Sequence, residues 1–193
     1  FENLIKGLAY LADKKVRGNR VGLMTNAGFE SVIMADNLRG ENGGLVLPEF
    51  CDQTVRKINQ ALSPAGIDRL LDIHNPLDVT PMADDATFGA CLEALVEDKN
   101  VDCAVISIVP VTAVLQTLPP GEAHHENIYD ENSLAGYLIR AFKKTDKPMV
   151  VNIDAGQLYD PLAEYLEDNG LPVFRRCDRA LAFLKRFVAI HKA

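Results

Sequence analysis

The sequence has no apolar run approaching the roughly 20 residues that a membrane-spanning helix requires, and its first residues lack the basic-then-apolar layout of a secretory leader. These absences lead to the expectation of a cytoplasmic protein. Cysteine is sparse: Cys51, Cys91, Cys103 and Cys177 lie far apart with no C-x-x-C pair, so they read as small buried hydrophobes in a reducing compartment, and no metal site is expected. Positive charge is in deficit, with 20 Lys and Arg against 27 Asp and Glu and a net charge of -7. That balance excludes a surface built to gather nucleic acid or anionic lipid. Neither G-x-G-x-x-G nor G-x-x-x-x-G-K-[ST] occurs, which disfavours nucleotide binding by this chain alone. A nucleophile elbow G-x-S-x-G is missing too, and no Ser/His/Asp or Cys/His arrangement stands out.

What is present is a 48% hydrophobic chain of 193 residues, enough for one sizeable core. Short β-rich runs alternate with helical patterns. The expected strands are Arg20 to Thr25, Leu45 to Leu47, Val101 to Val109, Pro148 to Ile153 and a short one at Val173-Phe174. Between them Phe88, Cys91, Leu92, Leu95 and Val96 recur at helical spacing, as do Leu134, Tyr137, Leu138, Ala141 and Phe142. Val55, Ile58 and Leu62 mark a further helix, Leu162, Tyr165 and Leu166 a shorter one, and Ala180, Leu181, Leu184, Phe187 and Val188 the last. Strands as apolar as "CAVISIV" have both faces covered, the habit of parallel sheets between helical layers. The expected fold is α/β, a doubly wound, mainly parallel five-stranded sheet of flavodoxin-like order. Residues 1–16 read as a helical arm or linker, with Leu4, Ile5, Leu8, Leu11 and Ala12 on one stripe, and 17–193 as the domain. A chain that opens with Phe1 reads as part of a longer protein.

In such sheets ligands bind beyond the carboxyl ends of the strands, where helices begin with unpaired N–H groups. Three turns therefore compete: Asn26-Ala27-Gly28-Phe29-Glu30-Ser31, Pro110-Val111-Thr112, and Asp154-Ala155-Gly156-Gln157. In the first, Gly28 gives the freedom of a tight strand-to-helix turn, and the N–H groups of Gly28 to Ser31 would face an anion with the helix dipole behind them. Glu30 opposes this, because a carboxylate in the first turn repels an anion unless it points aside. A plain βα turn is the competing reading.

"HNPLDVTPMADD", residues 74–85, reads as a rigid connector with Asp84 or Asp85 starting the next helix. A site loop built from Asn75, Asp78, Thr80 and Pro110 is the alternative. His124-His125 with Glu122 and Glu126 reads as a solvated loop rather than a metal site, since a third ligand would have to come from elsewhere. The segment from Pro110 to Asp130 is the longest irregular connection, of a length that marks a function or mobility. Arg175, Arg176, Arg179, Lys185 and Arg186 read as a solvated helix face.

The stretches "GNRVGLMTNAGFESVIMADNL", "NPLDVTP", "LEALVEDKNVDCAVISIVP", "KPMVVNIDAG" and "YLEDNGLPVFRRCDRALAFLKRF" follow one another in an order that resembles the last flavodoxin-like domain of the nucleoside-diphosphate-forming acyl-CoA synthetases. These enzymes are similar to succinyl-CoA synthetase, and the resemblance runs from about Arg17 to Val188. It implies an acid–CoA ligase working through a phosphorylated histidine, with CoA, ATP or ADP, phosphate and Mg handled by a CoA-binding domain, a phosphohistidine domain and an ATP-grasp module. The resemblance also implies that the helix beginning at Gly28 helps to hold the phosphohistidine phosphate. The commoner family turn carries two glycines and a proline where this chain has Phe29 and Glu30. None of His74, His124, His125 and His191 sits in a segment like the family's phosphorylated motif, so the chain is expected to be inactive alone and to bind no cofactor by itself. The rival expectation is a noncatalytic docking or assembly module of a multidomain CoA-ligase-like or acetyltransferase-fused protein.

Overall fold

The computed structural model describes residues 2–38, 44–69 and 71–191. Its strands are β1 (Val21–Thr25), β2 (Leu77–Asp78), β3 (Cys103–Ile108), β4 (Met149–Ile153) and β5 (Val173–Phe174). The helices are α1 (Glu2–Tyr10), α2 (Gly28–Leu38), α3 (Asp52–Leu62), α4 (Asp85–Glu97), α5 (Leu134–Lys144), α6 (Asp160–Asp168) and α7 (Cys177–His191). The strands pair all in parallel in the order β2-β1-β3-β4-β5. That is the expected flavodoxin-like order, with β1 and β3 adjacent where the winding direction reverses.

Every residue of β1, β3 and β4 is buried, because a helical layer covers each face. The helices α1, α2 and α7 pack together on one side, and α3, α4, α5 and α6 follow one another on the other. Gly22 lets the second layer come close: a methyl at its Cα would sit 2.8 Å from a Leu95 Cδ. Helix α4 starts where Asp84, in extended conformation, accepts the Thr87 N–H at 2.8 Å, and α5 starts at Ser133, which accepts the Gly136 N–H. These are the hydroxyl and carboxylate caps that orphan N–H groups require. Helix α6 stops at Gly170, whose φ of +85° suits glycine and lets the Leu171 N–H return to the Leu166 carbonyl.

One strand lies elsewhere than expected. Leu45 to Leu47 contributes only a bridge between Arg20 and Val46, and the fifth strand is Leu77–Asp78, inside the stretch read as a connector. A two-residue strand next to a proline is too short to show alternation. It pairs in parallel with the end of β1, and the Asn75 side chain just before it adds to that pairing by accepting the Leu23 N–H at 2.9 Å and donating to the Val21 carbonyl at 2.8 Å. In the 1–16 segment, α1 packs on α7, Leu11 is fully buried in the core, and Lys14 donates to the Phe142 and Thr145 carbonyls.

The connection from Pro110 to Asp130 is held by two carboxylates. Asp85 accepts the N–H groups of Gln116 and Leu134, and Glu126 accepts those of Thr117 and Leu118 together with the Thr117 hydroxyl. Glu126 is thus an internal anchor of the loop. Among the described residues no group of three or more His, Cys, Asp or Glu is placed to hold a metal ion. None of the described helices is long and apolar enough to cross a membrane.

Candidate functional site

The carboxyl ends of β1, β3 and β4 carry the three turns singled out in the sequence, and the first is the most elaborately built. Thr25 ends β1 in register with Ser107. Asn26 follows, fully buried, and its side-chain amide exchanges two hydrogen bonds of 2.9 Å with the backbone of Val109. The amide acts as one more rung between β1 and β3, so its side chain is structural and faces away from any ligand. The Ala27 N–H donates to the Thr25 hydroxyl, and the Ala27 carbonyl accepts the N–H groups of Glu30 and Ser31. The Ser31 hydroxyl donates back to the Gly28 carbonyl at 2.7 Å.

This leaves the N–H groups of Gly28 and Phe29 with no acceptor among the described residues. The expectation of four presented N–H groups therefore narrows to two, because the first helical turn consumes the others. Helix α2 has eleven residues, and its dipole adds partial positive charge behind these donors. The Phe29 side chain is 58% exposed, and with Val32 and Ile33 it makes an apolar strip on the outer face of α2.

Glu30 has the opposite orientation. Its side chain is fully buried, and one carboxyl oxygen accepts the Ser107 hydroxyl at 2.8 Å, while Ser107 accepts from the Asn152 amide at 2.9 Å. A single chain of hydrogen bonds so links α2, β3 and β4 beneath the turn. Ser107 and Asn152 were not among the candidate residues, although a polar residue inside "CAVISIV" or "MVVNI" is a readable signal, since a strand covered on both faces has no solvent to offer it. Burial first, and then the Asp154 charge against the opposing Ser107 hydrogen bond, hold the Glu30 carboxyl above its ordinary value.

Of the site-loop candidates, Asp78 brings its side chain beside Gly28. One of its oxygens would lie 3.2 Å from a methyl placed on Gly28, and the other accepts the Thr80 N–H at 2.8 Å. Thr80 takes a φ of 65°, and its hydroxyl accepts the Met82 N–H. Asn75 lies farther down the edge of β1, engaged as described above. Pro110 is buried and its carbonyl accepts the Thr112 N–H and the Thr117 hydroxyl.

At the third turn Asp154 is exposed, and Arg175 donates to the carbonyls of Ala155 and Gly156 while pairing with Asp160 at 2.7 Å. Arg175 is therefore a strut for this turn rather than part of a solvated face. A cleft of about 360 Å³, lined by Glu93, Glu97, Lys144 and Lys147 among others, lies at the amino edge of the sheet, away from the turns. Chemically, the carboxyl edge offers two oriented N–H donors, a neighbouring carboxylate and an apolar strip. Among the described residues it offers no exposed nucleophile paired with a base.

No protein-family model matches the sequence. The chain is 31% identical over 163 residues to the alpha subunit of ADP-forming acetate–CoA ligase II of Pyrococcus furiosus, covering 83% of this chain and 31% of that protein. It is 29% identical over 171 residues to the alpha subunit of ligase I of the same organism, covering 87% of this chain and 32% of that one. The chain thus spans about a third of the length of the curated relatives it matches. Among solved structures, a protein of Pyrococcus horikoshii matches all of this chain and 40% of its own, at a TM-score of 0.77 and 26% identity. The dinucleotide-forming acetyl-coenzyme A synthetase 1 of Ca. Korarchaeum cryptofilum, solved with phosphate and ADP, shares the fold at a TM-score of 0.73 and 19% identity over 39% of its chain. Sequence and fold agree: the chain is homologous to part of the alpha subunits of ADP-forming acetate–CoA ligases and has a flavodoxin-like α/β fold.

Proposed function

We propose that this chain is one domain of an ADP-forming acid–CoA ligase, and that the N-terminus of α2 helps to stabilise the phosphate of a phosphohistidine supplied by another domain. The observation that carries the reading is the pair of free N–H groups at Gly28 and Phe29, at the carboxyl edge of the sheet, with the Glu30 side chain turned inward. Preorganised donors aimed where charge gathers lower the cost of that charge without rearrangement. Asp78 beside Gly28 keeps the attraction modest. CoA, ATP or ADP, phosphate and Mg would be bound by the CoA-binding, phosphohistidine and ATP-grasp domains, and the chain alone would be inactive.

The test is phosphoenzyme formation in the full enzyme. Gly28→Pro removes one of the two donors at a position where helices tolerate proline, and Ser31→Asp adds charge to the same turn. Both variants should fold and lose labelling by radioactive phosphate; labelling at the wild-type level would overturn the reading. The apolar strip of Phe29, Val32 and Ile33 favours a second reading, a noncatalytic docking module. On that reading Phe29→Ser and Val32→Ser would abolish assembly with the other domains, and the Gly28 variant would turn over normally.

A further inference from the structure

The hydrogen-bond chain beneath α2 does not close. Asn152 donates to Ser107 and Ser107 donates its only proton to Glu30, which leaves the other Glu30 oxygen and the Asn152 carbonyl oxygen buried without partners. Two orphaned acceptors in one chain are the mark of a missing proton, because an unpaired buried acceptor is costly and an ionised one more so. Asp154, two residues beyond Asn152, adds its charge to the effect of burial in raising the Glu30 carboxyl, and the Cys177 thiol at the start of α7 is near enough to feel Glu30. The groups around Glu30 are therefore Ser107 from β3, with Asn152 of β4 behind it, Asp154 just after β4, and Cys177 from α7. Burial, first of all, pushes the Cys177 thiol up to about 12, so it stays protonated.

We infer that Glu30 is held as a neutral carboxylic acid, and that it is a positioning residue which ties the phosphate-facing turn to the sheet without setting a negative charge beneath it. A desolvated carboxyl with a single donor keeps its proton to higher pH than a solvated one. Glu30 is fully buried and receives one hydroxyl. An ionised Glu30 in the first turn of α2 would offset the positive end of the dipole that Gly28 and Phe29 present. The protonated acid keeps the anchoring bond to Ser107 and removes that offset. The positioning role rests on the phosphate reading given above, whereas the protonation state does not.

The experiment is a carbon-13 NMR titration of this chain with labelled glutamate and aspartate carboxyls, from about pH 4 to pH 9. One glutamate resonance, missing in Glu30→Gln, should keep the position of a protonated acid after the exposed glutamates have ionised. Asp154→Asn should lower its midpoint, and Ser107→Ala, which removes its only hydroxyl donor, should raise it. A Glu30 resonance that titrates together with the exposed glutamates overturns the inference. In a parallel titration with inorganic phosphate, amide shifts at Gly28 and Phe29 should saturate, with a half-point in Glu30→Gln within about twofold of wild type. Phosphate shifts with an ionised Glu30 would uphold the phosphate reading and reject the neutral acid. A protonated Glu30 with no phosphate shifts would reject the positioning role and the phosphate reading together.

Discussion

Asp85 and Glu30 are both acidic residues in the first turn of a helix, and both are withdrawn from solvent, yet the structure treats them differently. Asp85 opens α4 and receives the backbone N–H groups of Gln116 and Leu134 along with the Gln116 side-chain amide, so both of its oxygens are partnered. Glu30 receives one hydroxyl and keeps an oxygen with no partner. A buried carboxylate surrounded by donors is an anchor, and the long connection from Pro110 to Asp130 is ordered around it. A buried carboxyl short of donors sits beneath the turn that presents the two free N–H groups. Departures from full hydrogen-bond satisfaction are tolerated where a site needs a particular charge rather than maximal stability.

Breaking the anchor should give the largest effect. Asp85→Ala leaves two backbone N–H groups buried without acceptors and should lower the unfolding free energy by about 3 kcal/mol in urea. A loss as small as that of a surface mutation would show that the loop does not depend on it. Glu30→Ala should cost less, about 1–2 kcal/mol, since it removes one hydrogen bond and leaves a small cavity. Glu30→Gln should be close to neutral at pH 7.

The pH dependence sharpens the contrast further. Burial, in each case the largest cause, raises the Asp85 and Glu30 carboxyls above their ordinary values in the folded chain. The native state then holds more protons than the unfolded one, so stability falls as pH rises from about 4, near the unfolded values, through the raised folded values. Melting curves should show this fall, with a smaller slope in Glu30→Gln; an unchanged slope would mean Glu30 contributes nothing to it. Glu97 does the reverse. Its hydrogen bonds with Lys144 and Lys57 draw the carboxyl down to about 2, so its contribution is present above the unfolded value and is lost as pH falls toward 2.

Two smaller effects complete the series. Asp78→Asn should tighten phosphate at Gly28 and Phe29 by about threefold, as expected when one charge is removed beside a helix N-terminus, and an unchanged half-point would mean that Asp78 does not face the anion. Glu97→Gln, at a pair of largely exposed bridges, should change stability by less than about 1 kcal/mol, and less still in high salt. A larger change would show that exposed ion pairs matter more here than the buried carboxylates.

The legible parts of this chain were those written in a local pattern. The helical spacing of Phe88 to Val96 and of Leu134 to Phe142 became α4 and α5, and the apolar runs ending at Thr25, Val109 and Ile153 became β1, β3 and β4. Strand β2 was not legible, because two residues beside a proline carry no period and depend on pairing with β1, to which Asn75 adds. The turn at Asn26 to Ser31 was legible as a place, through Gly28 after an apolar strand. The tasks of its side chains were not: Asn26 bonds across to Val109, Ser31 bonds back to Gly28, and Arg175 arrives at its neighbouring turn from beyond β5.

By itself the sequence determined the alternation of strands and helices, the parallel sheet implied by strands apolar on both faces, and the strand-to-helix turn at Gly28. Each of these follows from residues close together in the chain, whose periods and glycines constrain the backbone locally. The tertiary structure alone decided where the Glu30 carboxyl points, which two N–H groups stay free, and that Asp78 stands beside them. Those outcomes depend on β1, β2, β3 and β4 being brought together from distant parts of the chain, as in the bond from Ser107 to Glu30, 77 residues apart. Whether a carboxyl is charged depends on what the whole fold packs around it.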